Sequence, residues 1–180
     1  MPPVPALGAV AFGLFLACIP LANWMIGHVG TVCVPNGPCL IPVAPGVMAP
    51  SGVLMIGAAL VLRDIVQRLL GPVWALVAIA AGVALSLLLA PPALVLASGA
   101  AFLLSELVDF AVYTPLQRRR LLLAVIASSA VGLAVDSLVF LTLAFGSLDD
   151  LGGQVLGKAW ALLLAFPLVR LVRRVTPVAT

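Results

Sequence analysis

The stretch FLLSELVDFAVYTPLQRRR, residues 102–120, places Glu106 and Asp109 within one helical turn of each other inside an otherwise apolar run. The run ends in three consecutive arginines. An apolar helix that ends in arginines is typical of a membrane span whose charged end faces the cytoplasm. Because an aspartate near a membrane-helix centre costs about 2.5–3.5 kcal/mol, the two carboxylates indicate a helix that turns this face toward other protein and not toward lipid.

The composition of the whole chain agrees with this interpretation. Of its 180 residues, 64% are hydrophobic and only 8% are charged, and the mean hydropathy is +1.30. A surface that faces water needs more charge than this, so the composition predicts an integral membrane protein in contact with the lipid bilayer. Apolar runs recur along the whole chain without a polar block that could form a soluble domain. We therefore expect a single transmembrane domain, residues 1–180.

Six runs are long enough to cross about 30 Å of hydrocarbon at about 1.5 Å per residue. They cover residues 6–26, 51–70, 72–90, 93–115, 121–145 and 153–170. The predicted fold is an all-α integral membrane protein, a bundle of six transmembrane helices. The first run follows no Lys or Arg, which favours a retained helix over a cleaved signal peptide.

The arginines predict the orientation of this bundle. If the amino terminus lies in the cytoplasm, the second, fourth and sixth spans all end on the inside. These ends carry Arg68, Arg118, Arg119, Arg120, Arg170, Arg173 and Arg174, as expected for cytoplasmic positive charge. Both termini are therefore expected in the cytoplasm. Three spans in each half would also suit a 3+3 inverted repeat, for which the only matching residues are Asp64 and Asp136.

The segment GHVGTVCVPNGPCLIPVAPGVMAP, residues 27–50, falls on the outside in this arrangement. Its prolines and glycines predict a simple extracellular loop or, alternatively, a short re-entrant segment that lines a cavity. An oxidising exterior favours a disulfide between Cys33 and Cys39. No full ligand set accompanies the two cysteines, so we expect no zinc or other metal there.

Several ionisable residues lie at or near membrane depth: Arg63, Asp64, Glu106, Asp109, Asp136 and Lys158. Helical spacing places Ser105, Glu106, Asp109 and Tyr113 on one face of the fourth span, Ser129 and Asp136 on one face of the fifth, and Arg63 and Gln67 on one face of the second. Because charge that faces lipid is disfavoured, we expect these faces to converge on a polar cavity between the helices.

The charges in this predicted cavity do not balance. Four carboxylates face two cations when Arg68 stays at the cytoplasmic surface, and the excess of two falls to one when Asp64 pairs with Arg68. Either some carboxylates are protonated or a ligand supplies donors or positive charge. The alternative is a set of structural ion pairs that fix helix register.

Other functional classes have little support. The chain has no HExxH, GxSxG or P-loop spacing, and the carboxylate pair lacks the companion motifs of an intramembrane aspartyl hydrolase, so we predict that it is not an enzyme and needs no cofactor. Its arginines mark span ends and form no nucleic-acid patch. Gly153 and Gly157 form a GxxxG pattern, which leaves a homo-oligomer open.

Four segments carry a resemblance to a known family: LRDIVQRLLG at 62–71, ASGAAFLLSELVDFAVYTPLQRR at 97–119, SSAVGLAVDSLVFLTLAFG at 128–146 and GQVLGKAWALL at 153–163. Through them nearly the whole chain resembles the queuosine precursor transporter family, also called the vitamin uptake transporter family. The resemblance implies six transmembrane helices in the bacterial inner membrane. It also implies import of 7-deazaguanines, such as 7-cyano- and 7-aminomethyl-7-deazaguanine, for salvage into the queuosine of tRNA.

Such a ligand suits the residues at membrane depth. A guanine-like edge offers N–H donors to a carboxylate, and its carbonyl needs a donor. We expect Glu106 or Asp109 on the donor edge. The predicted substrate-binding residues are Glu106, Asp109, Arg63, Asp64, Gln67, Asn23, Ser105, Tyr113, Asp136, Gln154 and Lys158. For stacking on the ring, the candidates are Trp24, Phe102, Tyr113, Phe140 and Trp160, each of which could instead be a packing residue.

We expect alternating access around this site, driven by a proton or without coupling. The main alternative is a substrate-binding membrane subunit of a vitamin or nucleobase importer that needs an energising partner. A structural or assembly protein is a further alternative, and it predicts no stabilisation by deazapurines.

Overall fold

The computed structural model describes residues 4–35, 37–90 and 92–175. In these residues the chain forms six long helices, a short 3-10 turn and a small antiparallel sheet. The helices are α1 Val4–His28, α2 Val53–Leu70, α3 Pro72–Leu89, α4 Val95–Leu116, α5 Leu121–Phe145 and α6 Leu151–Val175, with the 3-10 turn at Pro92–Leu94. The strands are β1 Val32–Cys33, β2 Cys39–Ala44 and β3 Val47–Pro50.

Backbone chemistry sets the breaks between helices. Gly71, with a φ of 95°, separates α2 from α3, and Pro72 opens α3 at a position where its missing N–H is not needed. Gly146, with a φ of 65°, ends α5 in the left-handed conformation that glycine favours. Four residues, 117–120, join α4 to α5, and so short a connection makes these helices antiparallel neighbours.

Five of the six helices are long and apolar enough to cross a membrane, namely α1 and α3 to α6. The remaining helix, α2, matches α3 in length at 18 residues but carries Arg63, Asp64 and Arg68. Apolar side chains such as Leu88, Leu96 and Leu164 are 77–82% exposed, as expected for a lipid-facing surface. The prediction of a helical membrane protein is confirmed, and the count of six spans, the position of the termini and the inverted repeat stay predictions.

The segment before α2 differs from both predicted forms, because it is a three-stranded sheet in the order β1-β2-β3. The strands were not predicted because the segment contains several prolines, and proline has no backbone N–H to donate to a neighbouring strand. Helix α6 holds the sheet from outside, since Trp160 Nε1 donates to the Val43 carbonyl at 2.8 Å. Within the sheet, Cys33 of β1 and Cys39 of β2 lie opposite each other in register and form a disulfide. We call this end of the bundle the sheet end, and the opposite end, at residues 117–120, the linker end.

Helix α2 lies in the middle of the bundle, where it packs against α1, α6 and α3 and also touches α4 and α5. Gly57 permits the approach to α6, because a Cβ there would lie 2.7 Å from the Lys158 carbonyl oxygen. The apolar core surrounds the buried part of α2 and includes Phe15 of α1 and Phe102 of α4, whose ring centroids are 6.1 Å apart. Helices α2 to α6 all contribute buried polar side chains.

Candidate functional site

The buried polar side chains form two separate groups and not the single polar volume that the sequence predicts. The Arg63 cluster consists of Arg63, Asp64 and Gln67 of α2 with Glu106 and Asp109 of α4. The Lys158 cluster consists of Lys158 and Gln154 of α6 with Asp136 and Ser137 of α5.

The guanidinium of Arg63 is the centre of its cluster. Its Nη1 lies 2.9 Å from Asp64 Oδ1, its Nε donates to Glu106 Oε2 at 3.0 Å, and its Nη2 lies 2.9 Å from Asp109 Oδ1. Nη1 also donates to Gln67 Oε1 at 3.0 Å. All four charged side chains are at most 1% exposed. The planar guanidinium fork suits this arrangement, because it presents donors in several fixed directions.

Further contacts close this cluster. The Gln67 amide donates to Thr114 Oγ1 at 2.9 Å, and the Ser128 hydroxyl of α5 donates to Asp64 Oδ2 at 3.0 Å. The rings of Phe110 and Tyr113 lie 5.9 and 5.7 Å from the Arg63 guanidinium carbon. The cluster therefore ties α2, α4 and α5 together.

The ammonium of Lys158 is equally buried but has one carboxylate partner. Its Nζ donates to Asp136 Oδ2 at 2.6 Å, to Ser137 Oγ at 2.7 Å and to Gln154 Oε1 at 2.8 Å. These three bonds use all three donors of the ammonium group. The pair of Lys158 with Asp136 is neutral as a whole, and it joins α5 to α6.

A cavity of about 90 Å³ lies beside the Lys158 cluster. Its polar wall is formed by Asn23, Ser86, Ser98, Asp136, Gln154 and Lys158, and its aromatic wall by Phe102 and Phe140. Pro50 and Gly52 also line it, so the cavity reaches toward the sheet end of the bundle. A mostly apolar cavity with a few convergent polar groups is the usual form of a small-molecule site.

Exposure identifies the carboxylate that a ligand in this cavity can reach. The Asp136 side chain is 10% exposed, whereas the three carboxylates around Arg63 are at most 1% exposed. The ammonium group of Lys158 balances the negative charge of Asp136. The site thus offers a carboxylate acceptor beside amide and hydroxyl groups.

The structure distributes the predicted site residues over different surroundings. Asn23, Asp136, Gln154 and Lys158 line the cavity. Glu106 and Asp109, expected to face it, are instead turned to Arg63 and, with Asp64 and Gln67, are not among the described residues of its wall. Helical spacing defines a face of one helix but does not show which cation of another helix lies opposite it.

The remaining candidates have local partners. Ser105 donates to the Phe102 carbonyl of its own helix at 3.0 Å, and Tyr113 packs against Arg63. Trp24 and Trp160 are 53% and 50% exposed, so of the stacking candidates only Phe102 and Phe140 line the cavity within the described part of the chain. Substrate contact by any of these residues stays a prediction.

Three serines at this site were not among the predicted site residues. Ser86 and Ser98 line the cavity, and Ser137 accepts a bond from Lys158. The available signal was a hydroxyl inside an apolar run, and it is weak because serine can satisfy itself by bonding to its own helix. Ser137 does so as well, donating to the Leu133 carbonyl at 2.8 Å.

Comparison with known proteins gives a match over the half of the chain that contains α4, α5 and α6. A model of the family described as "Putative vitamin uptake transporter" matches residues 87–176. This range holds Glu106, Asp109, Asp136 and Lys158. Among curated proteins and among solved structures, no significant match was found. The matched half and the buried polar sites between apolar helices lead to one conclusion: the chain belongs to the vitamin uptake transporter family.

Proposed function

We propose that this protein imports 7-deazaguanine precursors of queuosine across the bacterial inner membrane, and that the cavity beside the Lys158 cluster binds them. The observation that carries the proposal is the Asp136–Lys158 ion pair in the wall of a small cavity between apolar helices. A buried ion pair beside a cavity is a functional candidate by default, since intramembrane charge is expensive. Family membership supports a transporter with a small-molecule substrate.

The groups in the cavity wall complement a guanine-like base. The Asp136 carboxylate can accept the N–H donors of the pyrimidine edge, and the Gln154 or Asn23 amide can donate to the ring carbonyl. The rings of Phe102 and Phe140 offer flat apolar faces for stacking. An aminomethyl cation on the ligand would add an attraction to Asp136. This assignment gives Asp136 the role that sequence analysis expected of Glu106 or Asp109.

The size of the cavity favours a compact ligand. At about 90 Å³, it is smaller than the roughly 300–1,000 Å³ of pockets that hold drug-sized molecules. A single planar ring system is therefore a better occupant than a bulky cofactor or a nucleotide.

We propose in addition that α2 is the sixth transmembrane span. Its charged residues Arg63 and Asp64 are fully buried against other helices, so they need not meet lipid. Arg68 lies in its last turn, at the linker end, where a cytoplasmic arginine is expected. With six spans, substrate enters from the sheet end outside and leaves at the linker end inside.

Uptake tests this assignment. In a host that lacks its own precursor importer, uptake of 7-cyano-7-deazaguanine is read out as queuosine in tRNA for the native chain and for Asp136→Asn. Asn keeps an oxygen toward Lys158 but loses the charged acceptor, so we expect uptake to fall by about tenfold or more. Asp149→Asn, at an exposed aspartate of the α5–α6 loop, is the matched control and should leave uptake unchanged.

Three results would contradict the proposal. Equal uptake by the native chain and by folded Asp136→Asn would remove Asp136 from the site. Uptake that appears only after partner subunits are added would instead establish the energised-importer alternative. Absence of a thermal shift with any deazapurine would argue for a different ligand class.

A further inference from the structure

Among the residues that the structure describes, the Arg63 cluster holds more negative than positive charge. One guanidinium faces three carboxylates within 3.0 Å, which leaves a net charge of minus two when all three are ionised. Counting the half-buried Arg68 of the same helix reduces the excess to one. In a low-dielectric interior, like charges so close together cannot all ionise without a large cost.

The other charged groups of the packed helices do not remove this excess. On α5 and α6 the membrane-depth charges are Asp136 and Lys158, which neutralise each other. Helix α3 has no charged side chain, and α1 has only His28 at its sheet end. The groups of α4 that face Arg63 are Glu106, Asp109 and Tyr113. The arginines of residues 118–120 and of the last turns of α6 lie beyond the cluster, at the linker end.

Several buried polar atoms in and beside the cluster make no well-aligned hydrogen bond. Among the described residues, the buried side-chain polar atoms without a hydrogen-bond partner are Arg63 Nη2, Asp64 Oδ1, both Asp109 oxygens, Tyr113 Oη and Ser129 Oγ. Asp109 Oδ1 is 2.9 Å from Arg63 Nη2, so that contact is an ion pair whose N–H is poorly aimed. Three of the six atoms are carboxylate oxygens, which need donors. A proton on a carboxylate supplies a donor and removes a charge at the same time.

A metal ion fits this site poorly. The guanidinium already occupies the space between the three carboxylates, where a cation would be coordinated. No group of three or more His, Cys, Asp and Glu in the described chain is arranged to hold a metal.

The cluster lies between the cavity and the linker end. On α2, Arg63 is seven residues past Ile56 of the cavity wall, and on α4, Asp109 is seven residues past Phe102. Seven helical residues span about 10 Å. Both helices run toward the linker end, so the cluster lies between the cavity and that end of the bundle.

We propose that the Arg63 cluster is a proton site, that Asp109 is the carboxylate that takes and releases the proton, and that this proton moves inward with the substrate. The proposal rests on the import function proposed above. Asp109 is chosen because neither of its oxygens makes a well-aligned hydrogen bond, although Oδ1 lies 2.9 Å from Arg63 Nη2. A proton from the outer side forms an O–H bond on Asp109, and the same bond breaks when the proton leaves toward the linker end.

Protonation would act on the packing of two helices. While Asp109 is ionised, its ion pair with Arg63 ties α4 to α2. A neutral Asp109 holds Arg63 less strongly and leaves Glu106 as the charged link between α4 and Arg63, so the linker end can open more easily after the proton and the substrate have both entered. Asp109 acts through helix position and needs no contact with the substrate.

Infrared spectroscopy tests the proton site without any substrate. Purified native protein should show the C=O band of a protonated carboxylic acid that disappears as the pH rises, and ¹³C-aspartate labelling should shift this band. The band should be lost in Asp109→Asn and kept in Asp149→Asn. In Asp109→Glu, which is a milder change, the band should respond to ¹³C-glutamate instead. A band that is absent at every pH, that responds only to glutamate label in the native protein, or that persists in folded Asp109→Asn overturns the assignment.

Transport tests the coupling. With proteoliposomes and 7-cyano-7-deazaguanine as the probe, an outside pH lower by one unit should drive about tenfold accumulation if one proton moves per substrate. Asp109→Asn should bind the probe, as a thermal shift, but only equilibrate it. Equilibration by the native protein without accumulation overturns the coupling and leaves the import function standing. If the probe neither shifts the melting temperature nor enters, the import function fails, and the infrared result alone decides the proton site.

Discussion

At the scale of single residues, the two buried cations of this protein have different surroundings. The guanidinium of Arg63 forms ion pairs with three carboxylates, and Arg63 is not among the described residues that line the cavity. Lys158 has a compact ammonium group, one carboxylate partner and a place in the cavity wall. Arginine is the residue suited to several simultaneous ion pairs, and lysine acts as a point charge. The chemistry of the side chains thus agrees with a closing role for one cluster and a binding role for the other.

Removal of Lys158 should expose the cost of a buried unpaired carboxylate. We expect Lys158→Met to lower the free energy of unfolding by about 3–5 kcal/mol, because Asp136, a buried residue, loses its only cationic partner among the described residues. The double variant Lys158→Met/Asp136→Leu should recover most of this loss without recovering uptake. Denaturant unfolding in detergent micelles measures both. A single variant as stable as the native protein would show that Asp136 is hydrated or protonated and does not depend on Lys158.

At the scale of helices and strands, α2 combines the largest number of buried residues with a close approach to α6. A Cβ at Gly57 would lie 2.7 Å from the Lys158 carbonyl oxygen and 2.8 Å from Ala161 Cβ. The carbonyl belongs to a helix backbone, which cannot move as a flexible side chain can. The contact therefore positions Lys158 relative to the cavity.

Gly57→Ala should push α6 away from α2. We expect a loss of stability of about 1–3 kcal/mol, as for overpacked sites in general, together with weaker uptake. Gly13→Ala is the matched control, since Gly13 is also helical but a Cβ there meets nothing within 4 Å. The control should be neutral or slightly stabilising because alanine favours the helix. Equal melting temperatures for the two variants would contradict the close packing of α2 against α6.

At the scale of the whole molecule, the arrangement is the reverse of a water-soluble protein. Large aliphatic side chains cover the outside, and charged side chains lie within the core. The small sheet covers one end of the bundle and is joined to α6 through Trp160. In the proposed topology, in which α2 crosses the membrane, the sheet lies on the outer side and the path runs between the helices.

Cysteine labelling tests the crossing of α2. Pro45→Cys lies in the exposed β2–β3 turn before α2, and Val73→Cys lies 69% exposed at the start of α3. If α2 is a span with the predicted direction, a membrane-impermeant maleimide should label Pro45→Cys from outside and Val73→Cys only in inverted vesicles. Cys18 is buried and Cys33 is bonded to Cys39, so neither should compete. Labelling of both positions from one side would rule out a transmembrane α2 and with it the six-span bundle.

Much of the helical framework could be predicted from the sequence because helices depend on local information. Apolar run length, the arginines at the run ends, and Gly71 with Pro72 between two runs are all signals within a few residues. The six predicted runs accordingly lie close to the six observed helices. The small sheet was missed because its prolines argue against strands, while its support comes from Trp160, 117 residues away from Val43.

The sequence by itself determined that the chain forms apolar helices carrying charge inside the bundle, and which charges share a helix face. Only the tertiary structure decided that Arg63 meets Glu106, 43 residues away, and that Lys158 meets Asp136, 22 residues away. Spacing along one helix fixes the direction of a side chain relative to its own axis, whereas a partner on another helix depends on how the two helices are rotated and shifted against each other. For that physical reason the carboxylate that lines the cavity is Asp136. The pair Glu106 and Asp109, in residues 102–120, lies against Arg63 instead.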